Sequence, residues 1–200
     1  MMGKRINIML FGIFLTGWWG IASAGNITGT VKAHGVKNSA DAVIYIDKIS
    51  TKTFAPPKEH ARFDQKNLVF HPHVLPILVG TTVDFLNSDD VLHNVFSPDQ
   101  CSEKFNLGTW PKGQIKTYTF KKAGCQSVIL CNVHPEMEAY AVVLETPYFA
   151  TSGKDGAYEI KDVPPGKYTL TIWHEKLKGQ SVAIEVPEKG NATMDFDIHK

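Results

Sequence analysis

Seven residues, Cys131-Asn132-Val133-His134-Pro135-Glu136-Met137, place a thiol, an imidazole and a thioether within one short loop. The loop follows a strand-like run from Gln126 to Leu130. One thiolate and two imidazoles in a trigonal plane, with a weak axial thioether, make a mononuclear copper site of the blue type. One histidine is therefore missing from the loop. A three-residue step brings His134 back beside Cys131, and a second such step sets Met137 over the same point. Pro135 stiffens the loop and removes one backbone donor near the sulfur. The missing group must come from a distant strand end, and His93 is the best placed. It follows an apolar strand (Val83, Phe85, Leu86) and a short polar loop. Its neighbour Asn94 can tie that loop to the Cys131 loop, the kind of outer support that metal ligands generally need.

Other chemistries fit these residues less well. Zinc favours Cys and His sets of tetrahedral geometry, the chain has no C-x-x-C, and a thioether suits copper better. A catalytic thiol with His134 as base would need an orienting group and an oxyanion site, and it leaves Met137 without a role. His71 and His73 flank Pro72 on one face of a strand. They are either a second, surface copper site or two exposed edge-strand histidines, and the second reading is preferred. His34, His60, His174 and His199 have no partner spacing and receive no role.

Strands must position these groups, because almost nothing reads as helix. Apolar and polar residues alternate in short runs broken by Gly, Pro and Asp turns, which predicts an all-β fold of antiparallel strands in sandwiches. Strands are expected at Asn26–Ala33, Ala42–Ile49, Thr82–Asn87, Ile115–Phe120 and Ala139–Glu145. Leu68 to Val79 is strand-like but carries Pro72 and Pro76, so it belongs at a sheet edge or a bend. Residues 98–114 read as irregular. After Thr146-Pro147 the character shifts. Asp155-Gly156 and Pro164-Pro165-Gly166 mark turns among further short strands, which run to Ile198.

The chain has 200 residues and a formal net charge of +1. Its bases are scattered, so nucleic acid is not an expected partner. Lys4 and Arg5 precede an apolar run from Ile6 to Ile21, and Ala22-Ser23-Ala24 is a small-residue cleavage site. Residues 1–24 therefore read as a secretory signal peptide. The run is short for a bilayer span of about 20 residues. Removing it takes away two bases and no acid and leaves no later segment able to span a membrane. The expected destination is a bacterial periplasm. In an oxidising compartment three cysteines need explaining. If Cys131 is a metal thiolate, Cys101 and Cys125 remain, either as a disulfide or as two separate thiols.

The motifs Phe70-x-Pro72, Val79-Gly80-Thr81-Thr82-Val83-x-Phe85-x-Asn87, His93-Asn94-Val95 and Cys131-x-x-His134-Pro135-x-Met137 resemble the cupredoxins. Their spacing is closest to the plastocyanin and amicyanin branch, and the likeness covers residues 60–146. It implies a Greek-key β-sandwich with His93, Cys131, His134 and Met137 as ligands to one copper ion cycling between Cu(I) and Cu(II). A second resemblance, to the carboxypeptidase regulatory-like (transthyretin-like) sandwich, rests on Asp155-Gly156-Ala157-Tyr158 and Pro165-Gly166-x-Tyr168-x-Leu170-x-Ile172. The opening strands of that sandwich resemble Gly29-Thr30-Val31 and Ala42-Val43-Ile44-Tyr45-Ile46, far upstream. This implies a discontinuous sandwich, 26–50 with 147–200, interrupted by the cupredoxin. The combination is similar to exported bacterial proteins of the methylamine-utilisation type. The resulting expectation is a periplasmic one-electron carrier, not an enzyme, whose partners are periplasmic redox proteins. The alternative is a copper-handling module without an electron-transfer role.

Overall fold

The computed structural model describes residues 24–98 and 104–200. The expected leader, but for Ala24, and Cys101 lie outside the described residues. Among the described residues there are seventeen strands and no helix. No helix there is long and apolar enough to cross a membrane. In chain order the strands are β1 (Gly25–Ala33), β2 (Val43–Ile46), β3 (Ala61–Lys66), β4 (Val69–His71), β5 (Val74–Leu78) and β6 (Thr82–Asn87). Then come β7 (His93–Ser97), β8 (Phe105–Trp110), β9 (Ile115–Thr119), β10 (Cys125–Leu130), β11 (Glu138–Leu144) and β12 (Phe149–Thr151). The last five are β13 (Ala157–Val163), β14 (Gly166–His174), β15 (Leu177–Val186), β16 (Ala192–Thr193) and β17 (Phe196–Ile198).

The strands form four sheets around two cores. The sheets β4-β3-β6-β9 and β5-β11-β10-β7-β8 enclose a core containing Phe63, Phe85, Val95, Phe120 and Ile129. The sheet β12-β2-β14-β15 and the sheet in which β1 pairs with β13, β16 and β17 enclose a second, with Ile27, Ile44, Ile160, Leu170 and Ile198. Both cores follow from period-two patterning. In β10, Cys125, Ser127 and Ile129 point inward while Gln126, Val128 and Leu130 are only half covered. Each fully buried Ile or Phe contributes about 1.5–3 kcal/mol over an exposed one.

Pro72 sits where the chain leaves β4, at one sheet's edge, and enters β5, at the edge of the facing sheet; the His71-Pro72 bond is cis. Pro76 lies within β5, which among the described residues pairs only with β11. Both prolines thus occupy the edge and bend positions that a missing N–H tolerates. The stretch 98–114, expected to be irregular, instead contains β8, hydrogen-bonded to β7 with a register shift between Asn94 and Phe96. That shift breaks simple alternation. Phe105 and Leu107 pack on the core, Gly108 takes a positive φ of 75°, and Trp110 is buried at the far end.

Two strands are covered on both faces and join the sandwiches. β11 turns Ala139, Ala141 and Val143 into the first core and Val142 and Leu144 into a third cluster. β2 turns Ile44 and Ile46 into the second core and Val43 into the same third cluster. Tyr45, Tyr140, Phe149 and Trp173 pack around it.

Gly156 follows Asp155 at a positive φ of 85°, and a Cβ there would meet the Val31 carbonyl oxygen at 2.1 Å. Gly113 has a similar φ of 81° but open space around it. Both lose the left-handed freedom of glycine when replaced by alanine, and only Gly156→Ala adds a backbone clash. Gly156→Ala should therefore cost about 2 kcal/mol more than Gly113→Ala, seen as a melting temperature roughly 4–8 °C lower by circular dichroism. Equal melting temperatures would show that the β1 contact yields without cost.

Candidate metal centre

The β7–β10 pairing, with Leu130 opposite Phe96, brings the start of β7 to the end of β10. His93 opens β7 and Cys131 follows β10, so both stand at one end of the sandwich. The loop then turns back on itself, the Met137 amide donating to the His134 carbonyl at 3.0 Å. Three donor atoms meet there. Cys131 Sγ lies 3.9 Å from His93 Nδ1 and 4.0 Å from His134 Nδ1, and the two nitrogens are 3.1 Å apart. A point equidistant from the three lies about 2.1 Å from each, within the 2.0–2.3 Å that imidazole and thiolate ligands keep to a small divalent metal such as zinc. His93 and Cys131 are buried and His134 is half-buried. Met137 is buried in the same core cluster as Cys131.

The loops are locked from outside. Asn94 is buried; its backbone N–H donates to Cys131 Sγ at 3.4 Å and its Oδ1 accepts from the Asn132 amide at 3.2 Å. Its Nδ2 donates to Asn106 Oδ1 at 2.9 Å and to the Gly108 carbonyl at 2.8 Å. The tie between the two loops expected of Asn94 is therefore present, with β8 added as an anchor. Asn87 does the same for the 88–92 loop. Its Nδ2 donates to the Val91 and Trp110 carbonyls, and its Oδ1 accepts from the Asp89 amide.

Asp89 is a site residue that spacing did not single out. Its Oδ2 is 2.9 Å from His93 Nε2. The same carboxylate accepts the Leu68 amide at 3.0 Å and the Asn67 amide at 2.7 Å. Those amides turn toward it because Asn67 and Leu68 both have positive φ, 56° and 58°, in the tight turn between β3 and β4. Burial pushes the Asp89 carboxyl up, but the Leu68 amide, the His93 ring and the Asn67 amide outweigh it and hold it below its ordinary value. An Asp89 carboxylate takes a proton donor from Nε2, which leaves the Nδ1 lone pair of His93 facing Cys131 and His134. The only sequence signal for Asp89 was its place four residues before His93 in a polar loop.

The exposed large apolar side chains fall in segments tied to the donor loops. Leu68, Val69, Val91, Leu92, Ile115 and Val133 are exposed by 41–54%. Asp89 draws the Leu68 turn in, Val91 and Leu92 adjoin His93, and the Lys112–Asp90 ion pair at 2.8 Å brings the turn before Ile115 alongside. Val133 lies between the two loop donors.

Cys131 is free and Cys125 is disulfide-bonded; Cys101, the expected partner, lies outside the described residues. His73 pairs with Glu175 at 3.1 Å, and with His71 it lines a cleft of about 530 Å³ beside Pro135 and Glu136. The four histidines given no role each lie close to a polar group. His60 Nδ1 is 2.7 Å from Asp84, and His174 Nδ1 accepts the Lys176 amide at 3.0 Å. His34 and His199 both contact Asp197. Sequence spacing misses His60–Asp84 and His34–Asp197 because those partners are distant in the chain.

Comparison with known proteins gives partial likenesses. A family model for polysaccharide lyase family 4, domain II, matches residues 138–194. No curated protein matches. Among solved structures, a Cu-containing nitrite reductase from Thermus scotoductus SA-01 is 28% identical with a TM-score of 0.42, over 50% of this chain and 27% of that one. This chain thus spans little more than a quarter of that protein. A purple cupredoxin from Nitrosopumilus maritimus is 26% identical, TM-score 0.37, over 42% of this chain and 98% of that one. A reduced amicyanin mutant is 24% identical, TM-score 0.40, over 50% and 97%.

Two substitutions test the support. Asn94→Ala removes three side-chain hydrogen bonds, one of them from the Asn132 amide of the Cys131 loop, so metal-free protein should lose about 2–3 kcal/mol in urea unfolding. Asp89→Asn should weaken transition-metal binding at the three-donor site by about 10–100-fold, measured by chelator competition. Undiminished affinity would mean that the carboxylate does not orient His93.

Proposed function

We propose that this protein is a type 1 (blue) copper protein that carries single electrons. His93, Cys131 and His134 are its equatorial ligands and Met137 its weak axial one. The observation that carries this reading is the triangle of Sγ, Nδ1 and Nδ1, with sides of 3.1–4.0 Å, closed on the outside by Asp89 and Asn94. A thiolate, two imidazoles and a nearby thioether are the soft and borderline donors that suit both copper oxidation states, and copper supplies the one-electron couple.

The residues divide the work. Asp89 fixes the His93 tautomer and ring. The Asn94 amide donates to the Cys131 sulfur and withdraws charge from it, which favours the reduced state. Hydrogen-bonded loops limit the rearrangement between oxidation states. His134 offers the partly exposed edge through which electrons pass, and exposed apolar side chains such as Val133, beside it in the loop, give a redox partner a surface that desolvates readily.

The wider setting is also proposed. Residues 1–24 are a cleaved signal peptide, the protein works in a bacterial periplasm, and its partners are redox proteins there rather than nucleic acid or membrane. The copper domain, 60–146, is inserted into a second sandwich of 26–50 and 147–200. Supporting this division, β1 pairs with β13, β16 and β17, and β2 with β12 and β14.

Adding Cu(II) to the purified protein should give intense thiolate-to-copper absorption, absent in Cys131→Ser. A colourless wild type would overturn the reading. Met137→Leu should keep the colour and raise the reduction potential in voltammetry, because the lost thioether stabilises Cu(II) more than Cu(I). Leu92→Asp with Val133→Asp should slow electron self-exchange at least ten-fold by NMR line broadening while leaving the absorption unchanged.

A further inference from the structure

Among the described residues, two groups of three or more His, Cys, Asp or Glu donors are gathered closely enough to hold a metal ion. One is the centre at Cys131. The other is His34, Asp197 and His199, on the flanking sandwich. Strand register builds it. β1 and β17 run parallel, with Lys32 opposite Asp197 and Ala33 opposite Ile198. The His34 amide donates to the Ile198 carbonyl at 2.9 Å, which continues the pairing one residue further and sets His34 beside His199. Asp197 precedes His199 by two residues and so shares its face.

The three donor atoms lie within 4.8 Å of one another. His34 Nε2 is 2.9 Å and His199 Nε2 2.7 Å from the same Asp197 oxygen, Oδ1. The imidazoles stack with centroids 4.3 Å apart and planes 14° from parallel. Despite its short distance, His34 Nε2 makes no properly aligned hydrogen bond and is covered from solvent. It is a covered nitrogen beside a carboxylate oxygen that its lone pair does not meet. Donors at right angles on an ion with bonds of about 2.0 Å stand about 2.8 Å apart, as these nitrogen–oxygen pairs do. Stacked rings hold their lone pairs side by side, so chelation requires one ring to swing. His199 is 62% exposed and has room to do so.

We propose that His34, Asp197 and His199 form a second metal site that takes a divalent borderline transition ion, Cu(II) foremost. Two neutral imidazoles and one carboxylate with open positions are a nitrogen–oxygen set suited to tetragonal Cu(II), and Cu(II) heads the affinity order of the first-row divalent ions at such sites. Lys178 and Lys200 lie near His199 and disfavour a hard cation held by charge alone, so imidazole coordination is the driving contribution. The site contains no sulfur and shares no residue with the Cys131 centre, so it stands independently of the function proposed above.

The test uses untagged full-length protein and Cu(II) alone, followed by calorimetry and electron paramagnetic resonance. Wild type should take up a second equivalent with a nitrogen-coordinated, tetragonal signal and no thiolate colour. His34→Ala and His199→Ala should each weaken that equivalent at least ten-fold and leave thiolate-to-copper absorption as in wild type. Cys131→Ser should retain it, which separates failure of this site from failure of the Cys131 centre. Absence of a second equivalent, its persistence in the His34→Ala/His199→Ala double variant, or its loss in His71→Ala/His73→Ala would overturn the proposal.

Discussion

Three electron-pair donors crowded into one corner repel unless something holds them. At the end of β7 and β10 the sulfur and two ring nitrogens stand 3.1–4.0 Å apart. The backbone on either side is tied through Asn94, Asn87 and Asp89 before any metal is considered. Holding such a set costs free energy that the surrounding fold must supply, and this is the reason for the dense hydrogen bonding there. The same rigidity suits a one-electron site, where each change of geometry between oxidation states adds to the barrier. Asp89 is the clearest example: its carboxylate is fixed by two amides of a distant turn and in turn fixes one imidazole.

That rigidity is transmitted outward by β11. The strand follows the Cys131–Met137 loop directly, and its two faces belong to different cores. Ala139, Ala141 and Val143 anchor it to the sandwich that carries the donors, and Val142 and Leu144 anchor it to the flanking sandwich. Tyr140 packs against Trp173 with ring centroids 5.5 Å apart. The second sandwich therefore braces the base of the loop that holds three of the four proposed ligands. It also closes one side of the cleft that His71 and His73 share with Glu175.

Much of this was legible in the sequence, for identifiable reasons. Local spacing revealed the Cys131–His134–Met137 loop, because a short loop constrains where its own side chains go. Period-two patterning gave the all-β fold, and the prolines at 72 and 76 gave the edge and the bend. His93 and Asn94 were found by their position at a strand end. What stayed hidden depends on contacts between distant segments. Asp89 needed the Asn67-Leu68 turn to show its purpose, and β8 was masked by a register shift and a glycine in the left-handed region.

The flanking sandwich shows the same limit from the opposite side. Histidines 34 and 199 are separated by almost the whole chain, and no spacing rule connects them. A parallel pairing of β1 and β17 places them ring against ring over one carboxylate. Two donor sets thus arise by different routes. One is compact in sequence and needs the fold only to add a histidine. The other exists only because the first and last strands meet. A metal bound at the second set would cross-link those two strands, so its occupancy would stabilise the sandwich that supports the first.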